Sequence, residues 1–340
     1  MARESAREAR VGYWSAQEQY SMGDLLGFAV EAEKGGFETM MASDHFHPWF
    51  HAGGFGNFTW VWMAAAAERT ERMEFVTGVT CPIFRYPPGI VAQAFASLDD
   101  LYPGRIGLGV GTGEAMNEVP NGFAWGTQSE RLERTVEAVE VIRELWGSGE
   151  RFVDHAGRYY RTDRARLYTP PKERIPLYMA AVGKRSTRAA AGRNFDGLIT
   201  FRKGDELAAQ LSAYRGAVGE SGRDPNSTEV IAEYKVSFDP DYERAFESVK
   251  RWRPTLLAGV LTDEVHDPRE LERRAKEEVT DERLKESWHI ATSIDETFGA
   301  LERYFAAGFT KVYVHSSSPD ELGFLRAFSS RVLPHFGPQR

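Results

Sequence analysis

Cysteine is almost missing from this 340-residue chain: Cys81 stands alone, which excludes an intramolecular disulfide framework and suits a reducing compartment. No apolar run reaches membrane-spanning length. The stretch from Met1 to Arg10 carries charges but no apolar segment of the signal-peptide kind, so the expected location is cytoplasmic. Basic residues are in deficit, 42 Lys and Arg against 50 Asp and Glu, and the formal net charge of -8 gives a nucleic-acid partner no electrostatic support. The markers of acyl and phosphoryl transfer, a G-x-S-x-G elbow and a P-loop, are also lacking. Nor is there a repeat, or a linker rich in Gly, Pro and Ser, and the whole of 1–340 is expected to fold as one domain.

What is present is an alternation of short β-like runs with longer segments of helical period, the pattern of a parallel sheet wrapped by helices. Strands are predicted at Arg10–Trp14, Glu38–Ala42, Met73–Val79, Arg105–Val110, Pro176–Ala181, Asp196–Thr200, Glu229–Val236 and Lys311–His315. Helices are predicted at Asp24–Lys34, Trp60–Arg69 and Pro88–Leu98, and from about Glu130 to Trp146 with Leu132, Val136, Val139 and Ile142 near one face. Eight strand–helix units in this length fit a closed (β/α)8 TIM barrel better than an open doubly wound sheet. The charged stretch Asp263 to Glu286, within an insertion at about 252–290, reads as solvated helix over the barrel mouth.

In such a barrel the active site lies at the C-terminal strand ends. Strand two is followed by Asp44, His45, His47 and Trp49, strand three ends in Gly78, Val79, Thr80 and Cys81, and strand four runs into Gly111-Thr112-Gly113-Glu114 with Asn117 beyond. Strand five ends in Val182-Gly183, and strand six in Thr200 with Lys203 close by. His45 has the side chain of a general base, and Glu114 across the mouth could supply the opposite half of acid–base work; a strand-end histidine can equally be structural. His45, His47 and His51 invite a metal, but Pro48, Trp49 and Phe50 between them make no ligand spacing, and no metal is expected. The glycines from Gly107 to Gly113 read G-x-G-x-G-x-G, which is not a dinucleotide fingerprint. They allow either close approach to a flat ring or phosphate, or a tight packed turn. Lys203 reads as an anion contact or as a solvated loop lysine.

Three blocks, Ser43-Asp44-His45-Phe46-His47-Pro48-Trp49, Thr80-Cys81-Pro82-Ile83-Phe84-Arg85-Tyr86 and Gly111-Thr112-Gly113-Glu114-Ala115-Met116-Asn117-Glu118, occur in order. With them the chain resembles the luciferase-like barrel superfamily, and within it the coenzyme F420-dependent dehydrogenases related to glucose-6-phosphate dehydrogenase and secondary alcohol dehydrogenase. The resemblance implies a homodimeric oxidoreductase in which His45 takes the hydroxyl proton as the hydride passes to the deazaflavin, Trp49 hydrogen-bonds the developing oxyanion, and Glu114 is the acid near the ring. It implies cofactor contacts at Asp44, Cys81 and Asn117, a strained cis peptide at Gly78-Val79, and a phosphate-tail site at Val182, Gly183, Arg185 and Ser186. Glu18, Thr200 and Lys203 align with sugar-phosphate contacts, whereas Thr262 and Ser287 stand where that site carries basic residues. The implied substrate is a sugar phosphate. The alternatives are a small secondary alcohol, or FMN chemistry of the luciferase type.

Overall fold

A computed structural model describes residues 9–337. The N-terminal stretch read above for its charges therefore lies mostly outside the described residues. Nine parallel strands form one sheet: β1 (Arg10–Ser15), β2 (Thr39–Ala42), β3 (Glu74–Thr77), β4 (Ile106–Val110), β5 (Leu177–Ala180), β6 (Gly197–Thr200), β7 (Glu229–Phe238), β8 (His289–Ala291) and β9 (Lys311–Ser316). Their order is β6-β5-β4-β3-β2-β1-β9-β7-β8, and β6 also pairs with β7, so eight of them close into a barrel and β8 lies outside the ring. The (β/α)8 expectation holds, with a ninth strand that the sequence reading did not contain. β8 pairs only with the far end of β7, in the register Val236↔His289 to Phe238↔Ala291. It ties the insertion to the barrel wall.

Two of the longer helices begin at side-chain caps. Ser21 accepts a bond from Asp24 N and starts the helix Met22–Lys34; Thr127 does the same for Glu130 N at the head of Gln128–Trp146. In the latter helix the buried face is Thr135, Ala138, Val139, Ile142 and Leu145, while Leu132 and Val136, expected near the apolar face, are only half-buried. Leu132 is instead a wall residue of the cavity described below. The strands are buried on both faces, as a parallel sheet under helices requires.

The glycine run in and after β4 serves packing first. A Cβ at Gly109 would lie 2.1 Å from Thr77 O, one at Gly111 would lie 2.6 Å from Val79 Cγ2, and Gly113 adopts φ of +80° beside the Cys81 sulfur. The strand is close-packed against its neighbour, and Gly111 and Gly113 then form part of the cavity wall.

Candidate active site

At the C-terminal ends of the strands lies a cavity of about 690 Å3, within the range of small-molecule sites. Of the residues singled out from the sequence, Glu18, His45, Trp49, Gly78, Val79, Cys81 and Glu114 line it on the side of β1 to β4. Val182, Gly183, Arg185, Ser186, Thr200 and Lys203 line it on the side of β5 and β6. A non-proline cis peptide joins Gly78 to Val79.

His45 is held from both ring nitrogens. Nε2 is 3.1 Å from Glu18 Oε1, and the other oxygen of Glu18 accepts from Ser43 Oγ at 2.6 Å. On the opposite edge Asn117 Nδ2 lies 3.2 Å from His45 Nδ1 and donates to Glu114 Oε2 at 2.9 Å, while Asn117 Oδ1 accepts from Phe46 N at 2.8 Å. One amide thus spans the candidate base and the candidate acid. Trp49 packs edge-on against the His45 ring at 5.4 Å, and its indole N–H has no partner among the described residues.

Asp44 and Asn117, expected as direct cofactor contacts, lie behind the wall and outside the cavity lining. Asp44 is buried and accepts from Thr80 Oγ1 at 2.6 Å and from Arg85 Nη2 at 3.0 Å, with Tyr86 OH at 3.4 Å. Its position suits orientation of the loop that carries His45. The Thr200 hydroxyl is already engaged, donating to Gln210 Oε1 at 2.6 Å and accepting from Arg202 N. Thr262 bonds Gly259 O and Asp263 and faces solvent, whereas Ser287 does line the cavity. His47 turns its Nδ1 to His266 O at 3.0 Å. Among the described residues no three His, Cys, Asp or Glu side chains converge to hold a metal.

Beneath Glu114 sits Glu118, fully buried, with Oε2 accepting from Arg85 N at 2.9 Å and Oε1 unpartnered. Burial, only partly offset by that bond and by the Arg85 charge, and reinforced by Glu114 and Asp44, pushes its carboxyl up to about 7. The folded state therefore binds a proton that the unfolded chain releases near its ordinary value of 4.5. Stability attributable to this group is full below that value and falls as pH rises toward 7. Glu118→Gln should flatten the decline in unfolding free energy between about pH 5 and 7 by roughly 2 kcal/mol. Urea melts of both proteins across this range decide it; parallel pH profiles would place the titration elsewhere.

Several wall residues escaped the sequence reading: Trp14 on β1, Glu233 and Lys235 on β7, Trp252, and His315 on β9. A usable signal existed, since Glu233 and Lys235, spaced by two, fall on the same face of β7.

The profile of the luciferase-like monooxygenase family matches residues 7–311. The chain is 40% identical over 328 residues to the F420-dependent glucose-6-phosphate dehydrogenase of Nakamurella multipartita, covering 96% of each protein. It is 42% identical over 331 residues to that of Intrasporangium calvum, covering 96% of this chain and 98% of the relative. An F420-dependent secondary alcohol dehydrogenase, solved in complex with an F420-acetone adduct, superposes with a TM-score of 0.93 at 37% identity, over 97% of this chain and all of the other. A coenzyme F420-dependent tetrahydromethanopterin reductase from Methanopyrus kandleri, with TM-score 0.77 and 22% identity, shares the fold. The chain belongs to the luciferase-like family, beside its F420-dependent dehydrogenases.

Proposed function

We propose that the protein is an F420-dependent dehydrogenase that oxidises an alcohol carbon of a sugar phosphate resembling glucose 6-phosphate. The observation that carries the reading is the unit Glu18–His45–Asn117–Glu114, a base and an acid bridged by one amide in the wall of one cavity. Curated relatives named for this reaction at about 40% identity support the same assignment.

The residues present fit the cofactor. The cavity is large enough for a flat tricyclic ring, and Val79, Ile199 and Leu132 offer it apolar walls. Gly78, Val79 and Cys81 would touch the ring, with Asp44 and Asn117 fixing the loops behind. Val182, Gly183, Arg185 and Ser186 would hold the phosphate tail. Bound F420 supplies a carbon that accepts a hydride.

The protein's part is positioning and proton transfer. His45 takes the hydroxyl proton, and the Glu18 carboxylate beside Nε2 balances the charge that forms. The Trp49 indole N–H serves the developing oxyanion. Glu114 delivers a proton toward the ring, oriented by Asn117. Thr200 and Lys203 belong to the substrate end. Burial first, and then the neighbouring Glu118 and Glu114 carboxylates, push the Cys81 thiol up and disfavour its thiolate. A cytoplasmic location and a homodimeric assembly complete the proposal, and among the described residues no helix is long and apolar enough to cross a membrane.

A second reading, oxidation of a small secondary alcohol, is favoured by the uncharged residues Thr262 and Ser287 and by the close superposition with the secondary alcohol dehydrogenase. Mixing the protein with oxidised F420 and either glucose 6-phosphate or 2-propanol, and following loss of deazaflavin absorbance, separates the two. Fluorescence quenching should show F420 binding at least tenfold tighter than FMN. Equal or tighter binding of FMN would move the assignment to luciferase-type oxygen chemistry.

A further inference from the structure

The wall of the cavity holds more charge than the acid–base unit uses. Lys203, which follows β6, makes no hydrogen bond or ion pair through its ammonium among the described residues, although the cavity is lined by it. Lys235 on β7 lines the same cavity, with its ammonium 3.7 Å from Glu233 Oε2 and 5.8 Å from the centre of the Trp288 ring. Glu233 Oε1 in turn lies 2.5 Å from His315 Nδ1. His315 is 2% exposed, stacked on Trp14 and boxed edge-on by Trp252 and Trp288, and its Nε2 has no partner.

The Lys235 ammonium thus sits beside a carboxylate that is also engaged by an imidazole, while the Lys203 ammonium in the same cavity wall is unpaired among the described residues. Burial first, and then repulsion from Lys235, hold the Lys203 ammonium below its usual range despite the attraction of Glu233. An anion placed between the lysines would reverse that balance. Three other cations are already engaged. Arg202 is bonded to Val182 O and to Glu206, Arg253 is bonded to Val279 O and to Asp281, and Lys285 lies over the Phe246 and Tyr242 rings.

We propose that Lys235, held in place by Glu233 and His315, joins Lys203 as the seat of the substrate's anionic group, a phosphate monoester. This deepens the reading that the substrate is a sugar phosphate and rests on it. It assigns to β6 and β7 the charge that Thr262 and Ser287 do not carry. Glu233 has two effects: it orients Lys235 and lowers the net positive charge offered to the anion.

The test uses inorganic phosphate titrated into the full chain without cofactor, read by the emission of the tryptophans around the cavity. Lys235→Met should raise the phosphate dissociation constant about tenfold or more, as should Lys203→Ala, each removing one charge-assisted contact. Lys235→Arg should keep the affinity within a few-fold, and it remains informative if the methionine variant folds poorly. Glu233→Gln should tighten phosphate several-fold, a direction that mere loss of a structural strap would not produce. Unchanged affinity in Lys235→Met, or weaker binding in Glu233→Gln, overturns the assignment. Failure of the sugar-phosphate reading would register separately, as no reduction of F420 by glucose 6-phosphate in a protein whose phosphate binding still depends on Lys235.

Discussion

His45→Ala is expected to lower turnover about a hundredfold or more while the affinity for F420 stays nearly intact. The imidazole lines the cavity and is gripped at each nitrogen, by Glu18 at 3.1 Å and by Asn117 at 3.2 Å. Its removal deletes the proposed proton acceptor and leaves the proposed tail contacts on the far strands in place. Because Glu18 and Asn117 would keep their other partners, Ser43, Phe46 and Glu114, the wall should hold its shape. Steady-state kinetics beside a fluorescence titration give the two numbers. Turnover within a few-fold of the parent would take His45 out of the chemistry, and equal losses of turnover and of F420 affinity would make it a cofactor-binding residue instead.

The second large effect concerns stability. Arg85 and Asp44 form an ion pair at 3.0 Å with side chains 8% and 1% exposed. The guanidinium also donates to Asp44 O and lies 4.3 Å from the centre of the Tyr86 ring. Burying such a pair costs desolvation on both sides, so its presence says little about net stability, but breaking it leaves a carboxylate uncompensated in the interior. Arg85→Met keeps the stem and removes the charge, and should lower the unfolding free energy by about 3 to 5 kcal/mol. Glu118 would lose an opposing charge at the same time and be still harder to ionise. Denaturant melts at neutral pH measure the loss; a change below about 1 kcal/mol would mean that Thr80 and Tyr86 satisfy Asp44 unaided.

Much of this was legible in the sequence, and the reasons differ from part to part. The barrel was, because short, mostly apolar strands alternate with longer segments of helical period. The strand-end set His45, Trp49, Cys81 and Glu114 was legible because the fold puts strand ends at the active site. β8 was not: three residues, His-Ile-Ala, have no periodicity, and they become a strand only because the end of β7 projects past the ring and offers unpaired groups. The support role of Asp44 was hidden too, since its partners Thr80, Arg85 and Tyr86 are more than thirty residues away. Thr200 looked like a ligand contact, and only the three-dimensional position of Gln210 shows that its hydroxyl is already engaged. Glu233, Lys235 and His315 were passed over because charges inside a barrel strand are read at first as turned to solvent.

The pairing of β8 with β7 bears on how the substrate end of such a site can be exchanged. Val236 to Phe238 bind the insertion through a ladder that begins one residue beyond Lys235. The roof and the wall beneath it are consequently stitched into a single hydrogen-bonded ribbon, not hinged as a separate flap. A chimera that imports the segment 252–290 from a relative of different substrate preference would inherit a foreign edge against a native one. The unit of transplantation is therefore β7 together with the insertion, with the crossover points before Glu229 and after Ala291.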